Sequence, residues 1–395
     1  MTAIENQHLD PATIDFAAVT NCADLPQPMK PPIKQALYKA KPEDFVVNER
    51  LEVDFTDAGE HLWLHIKKSG INTAYLAKLL SEWANIPLRD VGYSGLKDRQ
   101  ALTTQWFSLR LPKKQKPDSD FAPVDIKEHE TVKIIAEHWH NKKLNRGTHN
   151  ANQFVITLRD IEFAKDQKLG DKSSVEQQLQ TISKTGVPNY FGPQRFGFGG
   201  NNIREALNLF ARPLKSTSSA KKKNKRKSAV REQNSMELSA ARSLIFNQIL
   251  AARVQDGSWN TGLNGDVFNL NGSGSIFASE HMDETLQARL ASGDIHPTAV
   301  MWGTGNNKVA GDAAKLENTV VQQDALLAAL ATGLEQREVK AQRRALRLLV
   351  EDLSWRWADE QDGEQTLVLS FTLTTGSFAT SVLASVVEHL QLGSA

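Results

Sequence analysis

The chain has 395 residues, of which 40% are hydrophobic and 24% charged, with a net charge of +1, so it can build two or three cored domains but must hold any nucleic acid by local basic surface. Its single cysteine, Cys22, excludes an internal disulfide and a thiolate metal cluster, and no apolar run nears the roughly 18 residues of a membrane helix. Without a basic and apolar signal region at the start, the expected compartment is the reducing cytoplasm, with no membrane partner.

Residues 1–30 are polar, carry Pro26 and Pro28, and read as a flexible leader. Apolar residues alternate over 45–53 and 61–67, which predicts two strands; after Asn72 the spacing changes to Leu76, Leu79, Leu80 and Trp83, one face of a helix that Asn72 caps and Pro87 stops. Alternation returns at 104–111, 132–137 and 153–158. Ser174 with Gln177 forms a capping box for a helix running to about Lys184, stopped by Gly186 and Pro188.

Helical spacing dominates from 186 to 350, at 202–211, 239–254 and 324–350; 366–373 is a strand pattern again, and 377–390 reads as a C-terminal helix. The simplest organisation is a sheet-based domain, 31–185 plus 351–395, interrupted by a helix-rich insert, 186–350. Within the insert, 215–231 holds eight basic residues and no acidic one, with almost nothing to bury, and is expected to be a disordered loop that either solvates the chain or meets phosphates.

The stretch with most chemical content is Gly92-Tyr93-Ser94-Gly95-Leu96-Lys97-Asp98-Arg99-Gln100-Ala101. Asp98 lies between two cations in a glycine-bounded loop, so its carboxylate is expected to be ionised and able to act as a nucleophile. Taken alone, an aspartate flanked by basic residues reads as a surface ion pair or turn cap. The decapeptide, continued by Leu102-Thr103-Thr104-Gln105-Trp106-Phe107, closely resembles the signature of the TruD family of pseudouridine synthases. Further segments resemble that family in the same order: Lys39-Ala40-Lys41-Pro42-Glu43-Asp44-Phe45, Asn152-Gln153-Phe154, Gly186 to Gly197 with Gln194-Arg195, and Gly376-Ser377-Phe378-Ala379-Thr380-Ser381.

The resemblance implies an α+β fold: a pseudouridine-synthase domain with a central, mostly antiparallel sheet, interrupted by an inserted helix-rich TRUD domain. It implies isomerisation of uridine to pseudouridine in tRNA, at uridine 13, with Asp98 as the central group. Cleaving the N1–C1′ bond and rejoining uracil through C5 adds and removes no atom, so no cofactor, metal or dinucleotide is expected. The carboxylate could attack C1′, add to C6, or abstract a ribose proton, and the residues do not choose. The target base must be flipped out of its stack. Phe154 and Phe378 match pocket aromatics, and Asn152 matches a position that hydrogen-bonds near the aspartate or the base edge; as residues alone the two phenylalanines read as core and Asn152 as a turn residue. Lys39 and Arg195 match further segments, Arg195 as a phosphate contact or loop brace. Of Lys97 and Arg99, at most one is expected to face the cleft.

The expected partner is tRNA, and the chain is expected to act as a monomer. The competing class is a non-catalytic tRNA-binding or tRNA-folding protein on the same fold, and a remoter one is an enzyme acting on another glycosidic bond. His138 and His140 lack a third ligand for a metal. The segment 336–350, with Arg337, Lys340, Arg343, Arg344 and Arg347, is expected as one solvated side of a long helix. Where family members often carry an Arg-Glu pair after the Phe378 element, this chain reads Ser381-Val382-Leu383-Ala384-Ser385.

Overall fold

The computed structural model describes residues 11–122, 130–164, 171–213, 224–359 and 365–393, which divide into two units. Among the described residues, no helix is long and apolar enough to cross a membrane. The first unit comprises Pro31–Ser183, Val350–Ala379 and Val386–Ala395. It is built on a ten-stranded sheet: β1 (Ile33–Tyr38), β2 (Phe45–Arg50), β3 (His61–Ser69), β4 (Val91–Tyr93), β5 (Leu102–Arg110), β6 (Thr131–His140), β7 (Ala151–Phe163), β8 (Glu351–Asp359), β9 (Gln365–Thr374) and β10 (Val387–Leu392). The main order is β8-β9-β7-β2-β5-β3-β6; β1 pairs with β7 and β10, and β4 with β5. Among the described residues of this sheet, only β1 with β10 and β2 with β5 run parallel, so the fold is α+β with a mostly antiparallel central sheet.

Strand register decides what lies under the candidate loop. Lys68, Thr103, Val47, Phe154 and Phe371 stand opposite one another across five neighbouring strands, and side chains at alternate positions of a strand share a face. On that face the helix Thr73–Trp83, capped by Asn72 Oδ1 accepting from the Tyr75 N–H at 2.7 Å, buries Leu76, Leu79 and Leu80 against Leu62, Leu64, Ile66, Phe107 and Leu109. At roughly 1.5–3 kcal/mol per buried large apolar side chain, this cluster is a major part of the unit's stability. The helix Lys172–Thr185 starts from Asp171, whose Oδ1 accepts from the Ser174 N–H at 2.8 Å; the expected Ser174 capping box does not form, because Asp171 stands at the position that reaches the free N–H.

The second unit comprises Met1–Lys30, Lys184–Leu349 and Thr380–Ser385. It contains the helices Asn201–Ala211, Asn224–Gln255, Gly311–Gln323 and Ala325–Gln336, and also a four-stranded sheet of Ile276–Ala278, Val267–Leu270, Ile295–Met301 and Gln342–Ala345. Residues 1–10 and 214–223 lie outside the described residues; the rest of the basic stretch 215–231 begins the helix Asn224–Gln255.

Three further expectations are corrected. Residues 11–30 are no flexible leader: Phe16 is buried, and Tyr190 donates its hydroxyl to Pro26 O at 3.0 Å, so the segment is packed into its unit. The expected helix over 324–350 ends at Gln336, and Arg343, Arg344 and Arg347 leave it for strands. Their guanidiniums are not on a solvated side: Arg343 pairs with Glu317, and Arg347 donates to the Leu290 and Ile295 carbonyls. The C-terminal helix is confined to Ala379–Ala384, since Val387–Leu392 pairs in parallel with β1 and tertiary hydrogen bonding overrides the local helical spacing.

Candidate active site

The loop between β4 and β5 carries Asp98, and its neighbours are pinned. Gln105 donates to the Gly95 carbonyl, the Lys97 N–H donates to Thr73 Oγ1 at 3.0 Å, and the Thr73 hydroxyl donates to Gln105 Oε1 at 3.1 Å. Lys97 Nζ donates to Glu49 Oε2 at 2.8 Å, with both side chains buried. Arg99 turns elsewhere, donating to Gly70 O at 2.6 Å and lying 3.7 Å from Glu130. The two cations adjacent to Asp98 in sequence therefore have other partners.

Its own partner is Lys39, whose ammonium bonds Asp98 Oδ2 directly, while the Gln100 N–H donates to Oδ1 at 3.0 Å. Lys39 follows β1 with φ 56°, a left-handed conformation uncommon for a side chain this large. Its Nζ also lies 4.3 Å from the centre of the Phe45 ring, a contact favourable to a cation. Burial alone would raise the Asp98 pKa; the hydrogen bond and charge of Lys39, the Gln100 N–H and the charge of Lys68 outweigh it and hold the carboxyl below its ordinary value. The side chain remains 38% exposed, so the anion is reachable. Lys68, wholly buried and donating to Ile71 O at 2.8 Å, is pushed down to about 8 by burial, with Asp98 opposing and Lys97 adding to the shift.

An aromatic row continues from the lysine. Phe45 meets Phe154 edge to face at 6.2 Å between centroids, and Phe154 stacks on Phe371 at 5.5 Å. Asn152 is two residues before Phe154 on the same face and pairs with Glu49 of β2. Its amide Nδ2 is 3.3 Å from His149 Nε2, and His149 Nδ1 is 2.5 Å from Ser94 Oγ, at the start of the Asp98 loop. Phe378 is half-buried in the turn after β9, and that turn is tied to the same place: Thr375 Oγ1 donates to His149 O at 2.6 Å and the Thr375 N–H to Asn150 O at 3.1 Å.

The structure thus gathers Lys39, Asp98, Asn152 and Phe154 in one unit and joins the Phe378 turn to them. Arg195 belongs to the other unit, where it donates to Ser239 Oγ at 3.1 Å and lies over the Phe191 ring. His138 stacks on Phe55, and His140 meets Thr56.

The family model for tRNA pseudouridine synthase D (TruD) matches residues 30–204 and 213–386. The chain belongs to the TruD family. It is 68% identical over 388 residues to the tRNA pseudouridine synthase D of Psychrobacter arcticus, covering 95% of this chain and 96% of that one. It is 41% identical over 361 residues to the enzyme of that name from Xanthomonas campestris pv. campestris, covering 91% and 93%. The crystal structure of the putative tRNA pseudouridine synthase D from Methanosarcina mazei shares the fold, with a TM-score of 0.68 over 93% of this chain and 97% of that one at 22% identity.

In this TruD chain the residues not singled out from sequence are Glu49, Lys68, Thr73, Ser94, Gln105 and His149. A signal for two of them exists in the strand patterns. Lys68 continues the inward series Leu62, Leu64 and Ile66, and Glu49 continues Phe45 and Val47. A charge at a position whose parity demands an apolar residue must be paired, so it points to a site beneath.

Proposed function

We propose that this protein is a tRNA pseudouridine synthase that isomerises uridine 13, with the Asp98 carboxylate as the reacting group. The observation that carries the reading is an ionised, partly exposed aspartate clamped by Lys39 over a sheet face lined with Phe45, Phe154 and Asn152. Such a carboxylate can attack C1′, add to C6 or take a ribose proton, and each route starts from the same oxygen pair. The uridine leaves its stack, and Phe154 and Phe378 supply apolar planes for the uracil while Asn152 hydrogen-bonds to it. Lys39 keeps the carboxylate charged and aimed. Arg195, in the other unit, is assigned to tRNA phosphate or to bracing its own segment. The relatives' name supports the substrate class, and the conversion of uridine to its isomer requires no redox group.

The test is chemical mapping of pseudouridine in unmodified tRNA transcripts incubated with the protein. The expected result is modification at position 13 by the native protein and none by Asp98→Asn, with tRNA affinity of the variant kept within about tenfold. An Asp98→Asn protein that modifies at the native rate would remove Asp98 from the chemistry. Native protein that binds tRNA without isomerising it would leave the binding-only alternative.

A further inference from the structure

His149 is buried, is no part of the mechanism proposed above, and touches three of the segments that build the site. Its backbone carbonyl accepts from Thr375 in the Phe378 turn, its Nδ1 faces Ser94 in the Asp98 loop, and its Nε2 faces Asn152. The hydrogen positions are assigned from the network. Ser94 Oγ already accepts from the His149 backbone N–H at 2.8 Å and lies 2.5 Å from Nδ1. The serine hydroxyl keeps one proton to give, and the assignment directs it to Nδ1. The ring is neutral: burial, and then Lys97, lower its pKa below the ordinary imidazole value, with Glu49 opposing. A neutral ring that accepts at Nδ1 carries its hydrogen on Nε2.

An N–H at Nε2 needs an oxygen opposite, and the end of the Asn152 amide facing it is 3.3 Å away. The two ends of an asparagine amide exchange by a half-turn, and the hydrogen-bond network decides between them. With nitrogen toward Nε2, Asn152 Oδ1 is buried with no partner, which is an unfavourable state for an acceptor. The other half-turn gives Nε2–H its oxygen and leaves the NH2 group at the unpartnered position. We infer that His149 is a positioning residue: held in one tautomer by Ser94, it fixes the Asn152 amide so that an NH2 donor remains for an acceptor oxygen of the substrate, a carbonyl of the flipped uracil.

This inference rests on the uridine-isomerising reading, and the test separates the two. A glutamine side chain reaches the Nε2 position of a histidine, an asparagine side chain only the Nδ1 position. His149→Gln therefore keeps the contact to Asn152 and is expected to hold kcat within about threefold of the native protein. His149→Asn keeps only the Ser94 contact and is expected to lose about tenfold to hundredfold in kcat, a loss typical of a misaimed group, with KM for tRNA changed by less than about threefold. In an Asn152→Ala background, His149→Asn should lower kcat no further. Equal kcat for the two His149 variants, or an undiminished loss in the Asn152→Ala background, overturns the inference while native activity keeps the wider reading intact. Should His149→Asn fail to fold, Ser94→Ala asks the same question by freeing the tautomer: a kcat loss at steady KM supports the assignment, and native kcat overturns it. A native protein that forms no pseudouridine takes down both.

Discussion

Both units bury cations, but the region around Asp98 in the first unit does so with different residues from the second unit and to a different end. In the second unit the buried charges are arginines in fixed forks. Arg253 donates to Asp266 at 3.0 and 2.7 Å, and Arg343 donates to Glu317 Oε2 at 2.9 Å with a second contact of 2.8 Å to Oε1. The first unit has one such fork, Arg159 on the buried Asp44 at 3.0 and 2.9 Å, but the region around Asp98 uses lysines: Lys97 on Glu49, Lys39 on Asp98, and Lys68 near enough to influence Asp98. A bidentate guanidinium holds a carboxylate by two bonds in fixed geometry and stays charged, which suits a scaffold. A lysine is a point charge whose proton affinity yields to its surroundings, which suits tuning a carboxylate that must still react.

The contrast breaks most sharply at its two carboxylates. Asp98→Asn is expected to remove at least about a thousandfold of activity while the melting temperature stays near that of the native protein. Asp266→Ala should do the reverse, losing about 3–5 kcal/mol of stability because Arg253 is left buried and unpaired. Thermal melts beside single-turnover rates for both variants check this. If Asp266→Ala remained as stable as the native protein, the arginine pairs would not be the scaffold described here.

Lys39→Met probes a smaller effect with a definite sign. The Asp98 pKa is below its ordinary value because Lys39 and its other partners outweigh burial, so removing the lysine leaves burial as the dominant influence and the pKa rises. The acid limb of the rate profile should therefore move to higher pH, with a loss of roughly tenfold at pH 5.5 that narrows toward pH 8. An acid limb that does not move would show that Lys39 aims the carboxylate without setting its charge.

How much of this was legible beforehand depends on what each residue had to announce. The strands of the sheet were, since β2, β3, β5, β6, β7 and β9 each carry apolar alternation, while their mostly antiparallel order came from the family resemblance. β10 was not, because Val387, Leu390 and the residues between them fit helical spacing as well, and only pairing with β1 decides. The small sheet of the second unit was hidden for another reason: Val267–Leu270 and Ile276–Ala278 are too short to show a period, and Gln342–Ala345 is polar with two arginines whose partners are distant in sequence. In the site, Asp98, Asn152, Phe154 and Phe378 stood in motifs, and Lys39 followed from a matching segment. Ser94 stands in the Asp98 stretch without announcing a role, and His149 carries no local pattern; they are 55 residues apart and meet only in the fold.

The smallest expected effect is also the one that most sharpens the comparison, because activity and stability should move in opposite directions. Lys68 has a folded pKa of about 8 against an ordinary 10.5, so between those values the unfolded chain binds more protons than the folded one and stability rises with pH. Below pH 8 the native protein carries the whole deficit, which the shift puts at about 3 kcal/mol. Lys68→Met fits the same inward position without a charge, so its melting temperature at pH 7 should match or exceed that of the native protein, and its rise between pH 8 and 10.5 should flatten. Asp98 meanwhile loses one of the lesser influences lowering its pKa, so the acid limb of the rate profile should move up by less than in Lys39→Met, while the rate at pH 6 stays near that of the native protein. A buried arginine pair offers no such variant, since its guanidinium does not titrate in this range. A Lys68→Met protein that is less stable at every pH would place the lysine with the arginines, as scaffold, and would leave Lys39 alone as the cation that tunes Asp98.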